Sequence, residues 1–353
     1  MTGQDRVREL QQSVNEAIES RTPLKITGGD SKSFYGREPQ GLPLSLKEHQ
    51  GVVNYQPSEL VLTARAGTPL SEIERVLAVQ RQMLAFEPPH FNDSATLGGA
   101  IACGLSGPRR PFTGSVRDFV LGCKIINGKG EILSFGGEVM KNVAGFDVSR
   151  LMAGAMGTLG VLLEISLKVL PLPAQETTLC FELDLDQALN KMIGLARRSL
   201  PVSGLSYDGA LLTVRLSGAE RAVQAARTKL GGGLTAPVDF WRSLNEQNLP
   251  FFQGSQPLWR ISVPPAADPL ALSGAWFYDW GGGLRWLRSD EPAEKIFAAA
   301  EKAEGYALLF KGGDSSGDIF QPEHEALLQI NRNLKQAFDP YGILNPGRKY
   351  KEW

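Results

Sequence analysis

Four glycine-rich segments of the chain have the composition of loops that bind phosphate groups. They are residues 26–33, 95–107, 141–147 and 154–160. Glycine reaches positive φ at little steric cost, and successive backbone N–H groups in such segments form concave sites for anions. Buried turns are the alternative explanation for any one of them. Four together predict a site, lined largely by backbone, for a large polar ligand such as a dinucleotide.

Two familiar nucleotide motifs are absent. Gly154, Gly157 and Gly160 are spaced G-x-x-G-x-x-G and precede a strand-like run, whereas a Rossmann motif is G-x-G-x-x-G and follows its strand. Residues 122–130 have one residue too many between the glycines for a Walker loop, and Gly130 stands where Ser or Thr would bind magnesium. The dinucleotide is therefore expected to bind through several separate segments.

In their order along the chain, these segments resemble the FAD-binding domain of the vanillyl-alcohol-oxidase (PCMH-type) flavoprotein family. The resemblance covers about residues 1–175 and the last twenty or so, where Phe338–Arg348 is similar to the F-D-P-x-G-I-L-N-P-G-[KR] segment of the FAD-linked oxidase branch. The residues it implies as FAD contacts are Thr27, Gly28, Gly29, Asp30, Ser31, Pro89, Thr96, Leu97, Gly98, Gly99, Gly104, Leu105, Ser106, Gly107, Gly114, Ser115, Asp118, Lys141, Asn142, Ala144, Gly145, Gly157, Thr158, Gly160, Val161 and Asn345.

The resemblance also implies an α+β fold with two domains. A PCMH-type FAD-binding domain is expected at residues 1–173, and an α+β cap domain with an antiparallel sheet at 174–353, with 331–353 returning to the FAD domain. Pro171-Leu172-Pro173 marks the boundary, because two prolines end a strand and stiffen its exit. Non-covalent FAD is expected, since Asp30 stands where family members with a histidyl link carry His, and Cys103 is interpreted as a packed small residue.

Within this family the chain is similar to the smaller FAD-binding subunits of bacterial glycolate oxidases. That similarity implies oxidation of glycolate to glyoxylate, with electrons passing through FAD to a partner iron–sulfur subunit, beside a sister FAD subunit. The larger relatives carry a histidine-rich G-H-x-G-D-G-N-x-H segment, whereas Lys311–Asp318 has no histidine. Two alternatives stay open: a non-catalytic flavin relay or scaffold subunit, and a stand-alone FAD-dependent 2-hydroxy acid or alcohol oxidase.

Oxidation of a 2-hydroxy acid needs a base for the hydroxyl proton and a cation for the carboxylate. The base stays unassigned. His90 is a candidate because the family places its loop near the flavin, and Arg260 and Lys311 are candidates for an anion contact because each is a single cation in or beside an apolar strand. His49 and His324 have charged or polar neighbours and are expected on the surface. No metal site is predicted.

Composition disfavours several other classes of protein. The formal net charge of −1 gives no basic field for nucleic acid and no polybasic membrane patch. Cys103, Cys123 and Cys180 have no C-x-x-C spacing, so any iron–sulfur centre must lie in another polypeptide. No apolar signal core or 18-residue apolar run is present, so the chain is expected in the cytoplasm, or at the inner face of the cytoplasmic membrane through its partners.

The hydrophobic pattern alternates short strands and helices. Val7, Leu10 and Val14 begin a helix; Thr68 is expected to cap the next one, with Pro69 in its first turn; and Asn127-Gly128 is expected to form a hairpin turn. Strands are predicted at 42–46, 52–55, 60–64, 124–127, 132–135, 161–169, 177–183 and 210–216, and further helices at 187–198 and 220–230. Trp276, Tyr278 and Trp280 would share one strand face, as a packed core, a flavin wall or a partner surface.

Overall fold

The computed structural model describes residues 4–137, 147–231, 233–314 and 317–353. The chain divides into two compact units. The first comprises the residues up to Ser106, Gly114–Pro171 and Glu323–Trp353, and the second comprises Gly107–Thr113 and Leu172–Pro322. The end of the chain therefore belongs with its beginning, and a short segment after the second glycine-rich region belongs to the second unit.

The first unit is built around antiparallel strands with helices packed on them. Its helices are α1 (Val7–Ser20), α2 (Leu70–Val79), α3 (Leu97–Cys103), α5 (Val116–Phe119), α6 (Val148–Met152) and α11 (Glu325–Phe338). Its strands are β1 (Leu24–Thr27), β2 (Leu42–Ser45), β3 (Val52–Gln56), β4 (Val61–Arg65), β5 (Gln82–Met83), β6 (Val120–Ile126), β7 (Ile132–Gly136), β8 (Val161–Lys168) and β9 (Leu170–Pro171).

Among the described residues of this unit, the main sheet has the strand order β3-β4-β8-β6-β7, and all its neighbours are antiparallel. β1 and β2 form a separate parallel pair, and β5 pairs with β9. Strand β8 shows why the core lies here: Leu163, Ile165 and Leu167 are all fully buried at alternate positions. Helix α1 adds Leu10, Val14 and Ala17, which lie on one helical face.

The second unit is a larger antiparallel sheet covered by helices. Its helices are α4 (Arg110–Thr113), α7 (Leu185–Ala196), α8 (Glu220–Leu230), α9 (Phe240–Asn245) and α10 (Ala293–Lys302). Its strands are β10 (Gln175–Glu182), β11 (Val202–Tyr207), β12 (Leu211–Gly218), β13 (Leu234–Thr235), β14 (Leu258–Ser262), β15 (Ala275–Asp279), β16 (Leu284–Arg288) and β17 (Tyr306–Lys311). Over the described ranges the order is β13-β10-β12-β11-β15-β16-β14-β17, which confirms the α+β class and the antiparallel sheet expected of this half.

One local prediction is wrong and a second differs in detail. Thr68 does not cap α2: its hydroxyl accepts a hydrogen bond from Gly51 N (2.9 Å), and Pro69 takes the N-cap position. The β6–β7 hairpin is present, but Asn127-Gly128 begins a five-residue connection rather than a two-residue turn, since Ile126 pairs with Ile132. Asn127 Oδ1 closes this loop by accepting the N–H groups of residues 129 and 131, at 2.9 and 3.0 Å.

His49 is also misplaced by the sequence, because it is 1% exposed rather than solvated. Its Nδ1 accepts a hydrogen bond from Arg6 N (3.1 Å), and it lies 3.9 Å from the Asp5 carboxylate. Burial lowers the pKa of His49, although the negative charge of Asp5 acts in the opposite direction. His49 thus helps to fix the segment that precedes α1, whereas His324 is exposed as expected.

The aromatic run of β15 divides between the strand and the turn after it. Trp276 and Tyr278 stack on one strand face, with ring centroids 6.1 Å apart, and pack against the core beneath α7 and α8. Trp280 lies past the strand in a short 3-10 turn, where its indole N–H donates to Gly107 O (3.0 Å). Trp280 therefore does not share the strand face.

In the part of the chain that the structure describes, no helix combines the length and the hydropathy needed to span a bilayer.

Candidate functional site

One cleft of the first unit gathers residues from three of the four glycine-rich segments and from the end of the chain. Two overlapping cavities, of about 420 and 580 Å³, form it. The residues that line both cavities are Ile26, Thr27, Gly28, Thr96, Gly99, Ala102, Met156 and Asn345. We call this continuous space the glycine cleft.

One end of the glycine cleft is cationic. Lys32 is 5% exposed, and its Nζ lies 3.2 Å from Ser31 Oγ and 3.4 Å from the carbonyl oxygen of His90. Arg348 lines the same end and donates to the carbonyl oxygen of Lys32 at 3.1 Å. Burial lowers the pKa of Arg348, and the charge of Asp30 is among the influences that raise it. One buried and one half-buried cation beside open space favour an anionic ligand group such as a phosphate.

The other end is apolar. It is lined by Leu46, Ala66 and Leu162, with the bare backbone of Gly160 beside them. A flat ring system is the kind of ligand group that such a surface accommodates. The glycine cleft therefore offers charge at one end and apolar surface at the other, as an elongated dinucleotide requires.

The glycines of the cleft have two different structural roles. A Cβ on Gly28 or Gly29 would overlap Thr96 or the Ser94 carbonyl oxygen, and one on Gly98 would lie 2.7 Å from Ala66 Cβ. These residues allow two segments of backbone to approach each other. A Cβ on Gly99 would meet only the hydroxyl of Thr96 at 3.3 Å, although Gly99 lines both cavities. Gly99 therefore leaves room for a ligand.

The second glycine-rich segment is partly helical. Thr96 caps α3, since its hydroxyl accepts from Gly99 N at 3.3 Å, and Gly104 ends the helix at φ +67°. Cys103 is the last helical residue and lines the cationic end of the cleft. Burial raises the pKa of Cys103, against the opposing charges of Lys32 and Arg348.

Asn345 joins the end of the chain to two other walls of the cleft. Its Oδ1 accepts from Ile26 N and its Nδ2 donates to the Met156 carbonyl oxygen, both at 2.7 Å. Its own N–H donates to the carbonyl oxygen of Leu24 at 3.0 Å. Asn345 thereby holds β1 and the loop around Met156 at a fixed separation.

A buried ion pair fixes the backbone next to Asn345. Lys335 Nζ lies 2.6 Å from Asp339 Oδ2 and donates to the carbonyl oxygens of Thr158 (2.8 Å) and Leu344 (2.9 Å). Asp339 accepts the N–H groups of Ile343 and Leu344. Burial lowers the pKa of Lys335, while Asp339 acts to raise it. Sequence reasoning missed this pair, although the i, i+4 spacing of Lys335 and Asp339 was a usable signal.

The predicted cofactor contacts fall into three groups. Those that line the glycine cleft are Thr27, Gly28, Gly29, Asp30, Ser31, Thr96, Gly98, Gly99, Gly157, Gly160 and Asn345. Those that lie elsewhere are Pro89, Leu97, Gly104, Leu105, Ser106, Gly107, Gly114, Ser115, Asp118, Thr158 and Val161. Lys141, Asn142, Ala144 and Gly145 lie outside the described residues.

Two residues in the second group have clear local roles. Ser115 and Asp118 form a capping box on α5, in which the Asp118 carboxylate accepts both the backbone N–H (2.8 Å) and the hydroxyl (2.7 Å) of Ser115. Sequence reasoning also passed over Lys32 and Arg348 as site residues, although both lie inside segments that it had singled out.

The three catalytic candidates have different surroundings. His90 is half-buried in the first unit, with Nε2 3.0 Å from Glu74 Oε1. Arg260 lies on β14 of the second unit, with its guanidinium 5.0 Å from the centroid of the Trp280 ring. Lys311 ends β17 and is exposed rather than buried. Within the described ranges, no group of three or more His, Cys, Asp or Glu side chains is arranged to hold a metal ion.

Comparisons with known proteins identify a family for this chain. The family model described as "FAD binding domain" matches residues 5–136. The chain is 50% identical over 348 residues to glycolate oxidase subunit GlcE of Escherichia coli (strain K12), which covers 99% of this chain and 98% of that protein. It is 30% identical over 174 residues to glycolate oxidase subunit GlcD of Bacillus subtilis (strain 168), which covers 48% of this chain and 37% of that protein.

Among solved structures, one titled alkyldihydroxyacetonephosphate synthase superposes with a TM-score of 0.68 at 15% identity. The superposition covers 98% of this chain and 75% of that one. This likeness supports the fold.

Proposed function

This chain belongs to the family of the glycolate oxidase subunit GlcE, and we propose that it is the FAD-carrying subunit of a complex that oxidises glycolate to glyoxylate. The observation that carries the proposal is the glycine cleft, whose cationic and apolar ends suit the two kinds of surface in FAD. Bound FAD would supply a hydride acceptor for the hydroxyl-bearing carbon of a 2-hydroxy acid.

We assign the two ends of the cleft to the two parts of the cofactor. Lys32 and Arg348 would balance the charge of the pyrophosphate, with backbone groups of Gly28 and Gly29 beside them. The apolar end, around Leu46 and Leu162, would hold a flat ring. Asn345 positions both walls through its bonds to Ile26 and Met156. Asp30 stands where a histidyl link would be made, which supports non-covalent binding.

Catalysis at the reacting carbon would need a base and a carboxylate contact. We keep His90 as the candidate base because its Nε2 already lies against Glu74, a carboxylate that can orient the imidazole ring. Arg260 is the candidate carboxylate contact, and Lys311 is the weaker one because it is exposed.

The electrons would leave through other polypeptides. Cys103, Cys123 and Cys180 are all free thiols, and none occurs in a cluster-binding motif. We therefore propose a partner iron–sulfur subunit and a sister FAD subunit, with any attachment at the inner face of the cytoplasmic membrane made through that complex.

A second candidate function is a flavin relay or scaffold with no substrate of its own. It is favoured by the segment Lys311–Asp318, which has none of the histidines of the G-H-x-G-D-G-N-x-H segment of the larger relatives. Both candidates use the same glycine cleft, so they differ only in whether this flavin meets substrate.

An anaerobic visible spectrum of the purified chain distinguishes them. Flavin bleached by glycolate identifies a catalytic subunit, and flavin bleached only by dithionite identifies a relay. A colourless chain that also fails to take up added FAD would refute both. Peroxide formation by the isolated chain in air, with glycolate, would instead indicate a stand-alone oxidase.

A further inference from the structure

His49 lies in a tight turn that supports one wall of the glycine cleft. Its N–H donates to the carbonyl oxygen of Leu46 (2.9 Å), and its carbonyl oxygen accepts from Gly67 N (2.9 Å). The packing is close, since a Cβ on Gly67 would lie 2.0 Å from the Leu46 carbonyl oxygen. Leu46 and Ala66, which precedes Gly67, both line the apolar end of the cleft. A displacement of His49 would therefore act on the surface assigned to the flat ring of FAD.

The geometry around the imidazole ring of His49 suits its neutral form. Nδ1 accepts from Arg6 N, so the ring proton is assigned to Nε2. Nε2 is itself buried, and although the backbone of Leu163 is close enough to influence the ring, no group in the described ranges completes a hydrogen bond to Nε2. A second proton would go on Nδ1, where it would face the N–H of Arg6. Protonation therefore breaks the bond to Arg6 and places a charge on a residue that is 1% exposed.

The charged groups that face the ring come from three elements. Asp5 lies before α1, with Oδ1 3.9 Å from Nδ1; Arg65 lies on β4, with Nη2 3.5 Å from Asp5; and Glu164 lies opposite Arg65 on β8. Burial lowers the pKa of His49 and Arg65 acts in the same direction, whereas Asp5 and Glu164 act to raise it. Asp5 is 55% exposed and is shared with Arg65, so it offsets only part of the cost of a buried imidazolium. The other charged side chains next to this cluster, in sequence or in ion pairs, are those of Arg6, Glu9, Lys47, Glu48 and Lys124.

We propose that His49 is a pH-sensitive switch of the glycine cleft, in which protonation of the ring frees the Arg6 N–H, loosens the turn at Leu46 and releases FAD. The inference rests on the proposed function, because it requires FAD to occupy the glycine cleft. Proton uptake and FAD release are then linked, so the affinity for FAD falls by up to about tenfold for each pH unit below the pKa of the ring in the free protein. In the opposite direction, bound FAD holds the ring neutral.

The test titrates the apoprotein with FAD between about pH 5 and 8 and follows the quenching of flavin fluorescence. In the wild type the dissociation constant should rise as the pH falls through the pKa of His49. It should change little in His49→Asn, which keeps an acceptor close to the position of Nδ1 but cannot be protonated. His324→Asn is the matched control, because His324 is exposed and lies outside this cluster, and it should retain the wild-type pH profile.

Two charge variants should move the transition in opposite directions, and they keep the test decisive if His49→Asn does not fold. Asp5→Asn removes a negative charge beside the ring, so FAD should be lost at a lower pH than in the wild type. Arg65→Gln removes a positive charge, so FAD should be lost at a higher pH. Far-UV circular dichroism at each pH separates release of FAD from unfolding of the chain.

Each other outcome contradicts a defined part of the argument. A wild-type chain that binds no FAD at any pH overturns the proposed function and the switch with it. A pH dependence that is the same in the wild type and in His49→Asn overturns the switch alone. Loss of FAD that coincides with loss of the far-UV signal also overturns it, because acid unfolding would then explain the release. Charge variants that leave the transition in place, or move it in the same direction, show that His49 is not the titrating group.

Discussion

Replacing Gly99 by alanine should change the stability of the apoprotein and its affinity for FAD in opposite directions. Gly99 lies inside α3, and its added Cβ would meet only the Thr96 hydroxyl, at 3.3 Å. Alanine is favoured over glycine inside a helix by about 0.5–1 kcal/mol. The apoprotein should therefore become more stable by up to that amount, with the Thr96 hydroxyl that caps α3 moving by a few tenths of an ångström to admit the Cβ.

The same methyl group enters the space that we assign to FAD. Overpacking a filled site by a methyl-sized group costs about 1–3 kcal/mol, which corresponds to a roughly 5- to 150-fold rise in the dissociation constant. Valine adds two further methyl groups at the same position, so Gly99→Val is expected to abolish FAD retention.

Two measurements on the same preparations test this reasoning. Urea unfolding of the apoprotein reports stability, and quenching of flavin fluorescence during titration reports the affinity for FAD. Gly194→Ala is the matched control, because Gly194 lies inside α7 and a Cβ there has no protein atom within 4 Å among the described residues. It should raise stability similarly and leave FAD affinity unchanged. If Gly99→Ala binds FAD as tightly as this control does, Gly99 does not face the cofactor; if it destabilises the apoprotein, its methyl group clashes with protein instead.

Four further predictions follow from the same geometry. Asn345→Asp removes the donor to the Met156 carbonyl oxygen, and the unpaired buried groups should cost about 1–3 kcal/mol of FAD affinity, measured by titration; unchanged affinity would show that Asn345 does not position the cleft. Lys335→Met leaves the Asp339 carboxylate buried without its cation, so the free energy of unfolding, measured in urea, should fall by about 3–5 kcal/mol. The double variant Lys335→Met/Asp339→Asn should recover part of this loss. Equal losses in the single and the double variant would contradict the charge argument. Burial lowers the pKa of His49 in the folded protein below its ordinary value of 6.5, so the contribution of His49 to stability is complete above pH 6.5 and is lost as the pH falls through the folded pKa. The urea concentration at the unfolding midpoint should therefore decrease below pH 6.5 in the wild type and decrease less in His49→Gln. Equal decreases in the two proteins would refute the assignment. Burial raises the pKa of Cys103, so this thiol should react slowly with iodoacetamide at neutral pH and faster in alkali, and bound FAD should protect it. Burial raises the pKa of Cys123 to about 12, so Cys123 should not react. Mass spectrometry of tryptic peptides measures the alkylation of both residues.

Much of the fold was predictable because period-two patterns have a simple physical cause. The strands around residues 161–169 and 210–216 alternate as buried antiparallel strands do, and both formed. The helix at 220–230 was predicted with its observed ends. Residues 97–103 were harder, because two glycines disfavour a helix locally while the Thr96 cap and the close packing of Gly98 on Ala66 favour one.

The backbone segments that line the site could be predicted from the sequence, whereas the burial of its charged side chains could not. Glycine-rich segments are easy to recognise in a sequence, and ten of the predicted residues within them line one cleft, together with Asn345 from the C-terminal segment. Lys32 lies in one of these segments and Arg348 in the C-terminal one, but nothing local indicates that a lysine is 5% exposed. His49 was expected on the surface because its neighbours in sequence are polar. Its burial depends on contacts with Arg6 and Asp5, which lie more than forty residues earlier, and such contacts have no local pattern.

The bond between Ile26 and Asn345 joins residues that are 319 positions apart. A ribosome that has made β1 must therefore translate across those 319 positions before the cleft can acquire the wall that contains Asn345. The glycine cleft cannot be completed during early translation, and loading of flavin becomes an event that follows synthesis of Asn345. A chain cut short before Asn345 would lack the atoms that hold β1 and the Met156 loop together. Occupancy by flavin would then report that synthesis had passed Asn345, because protein that holds flavin would be protein that contains this residue.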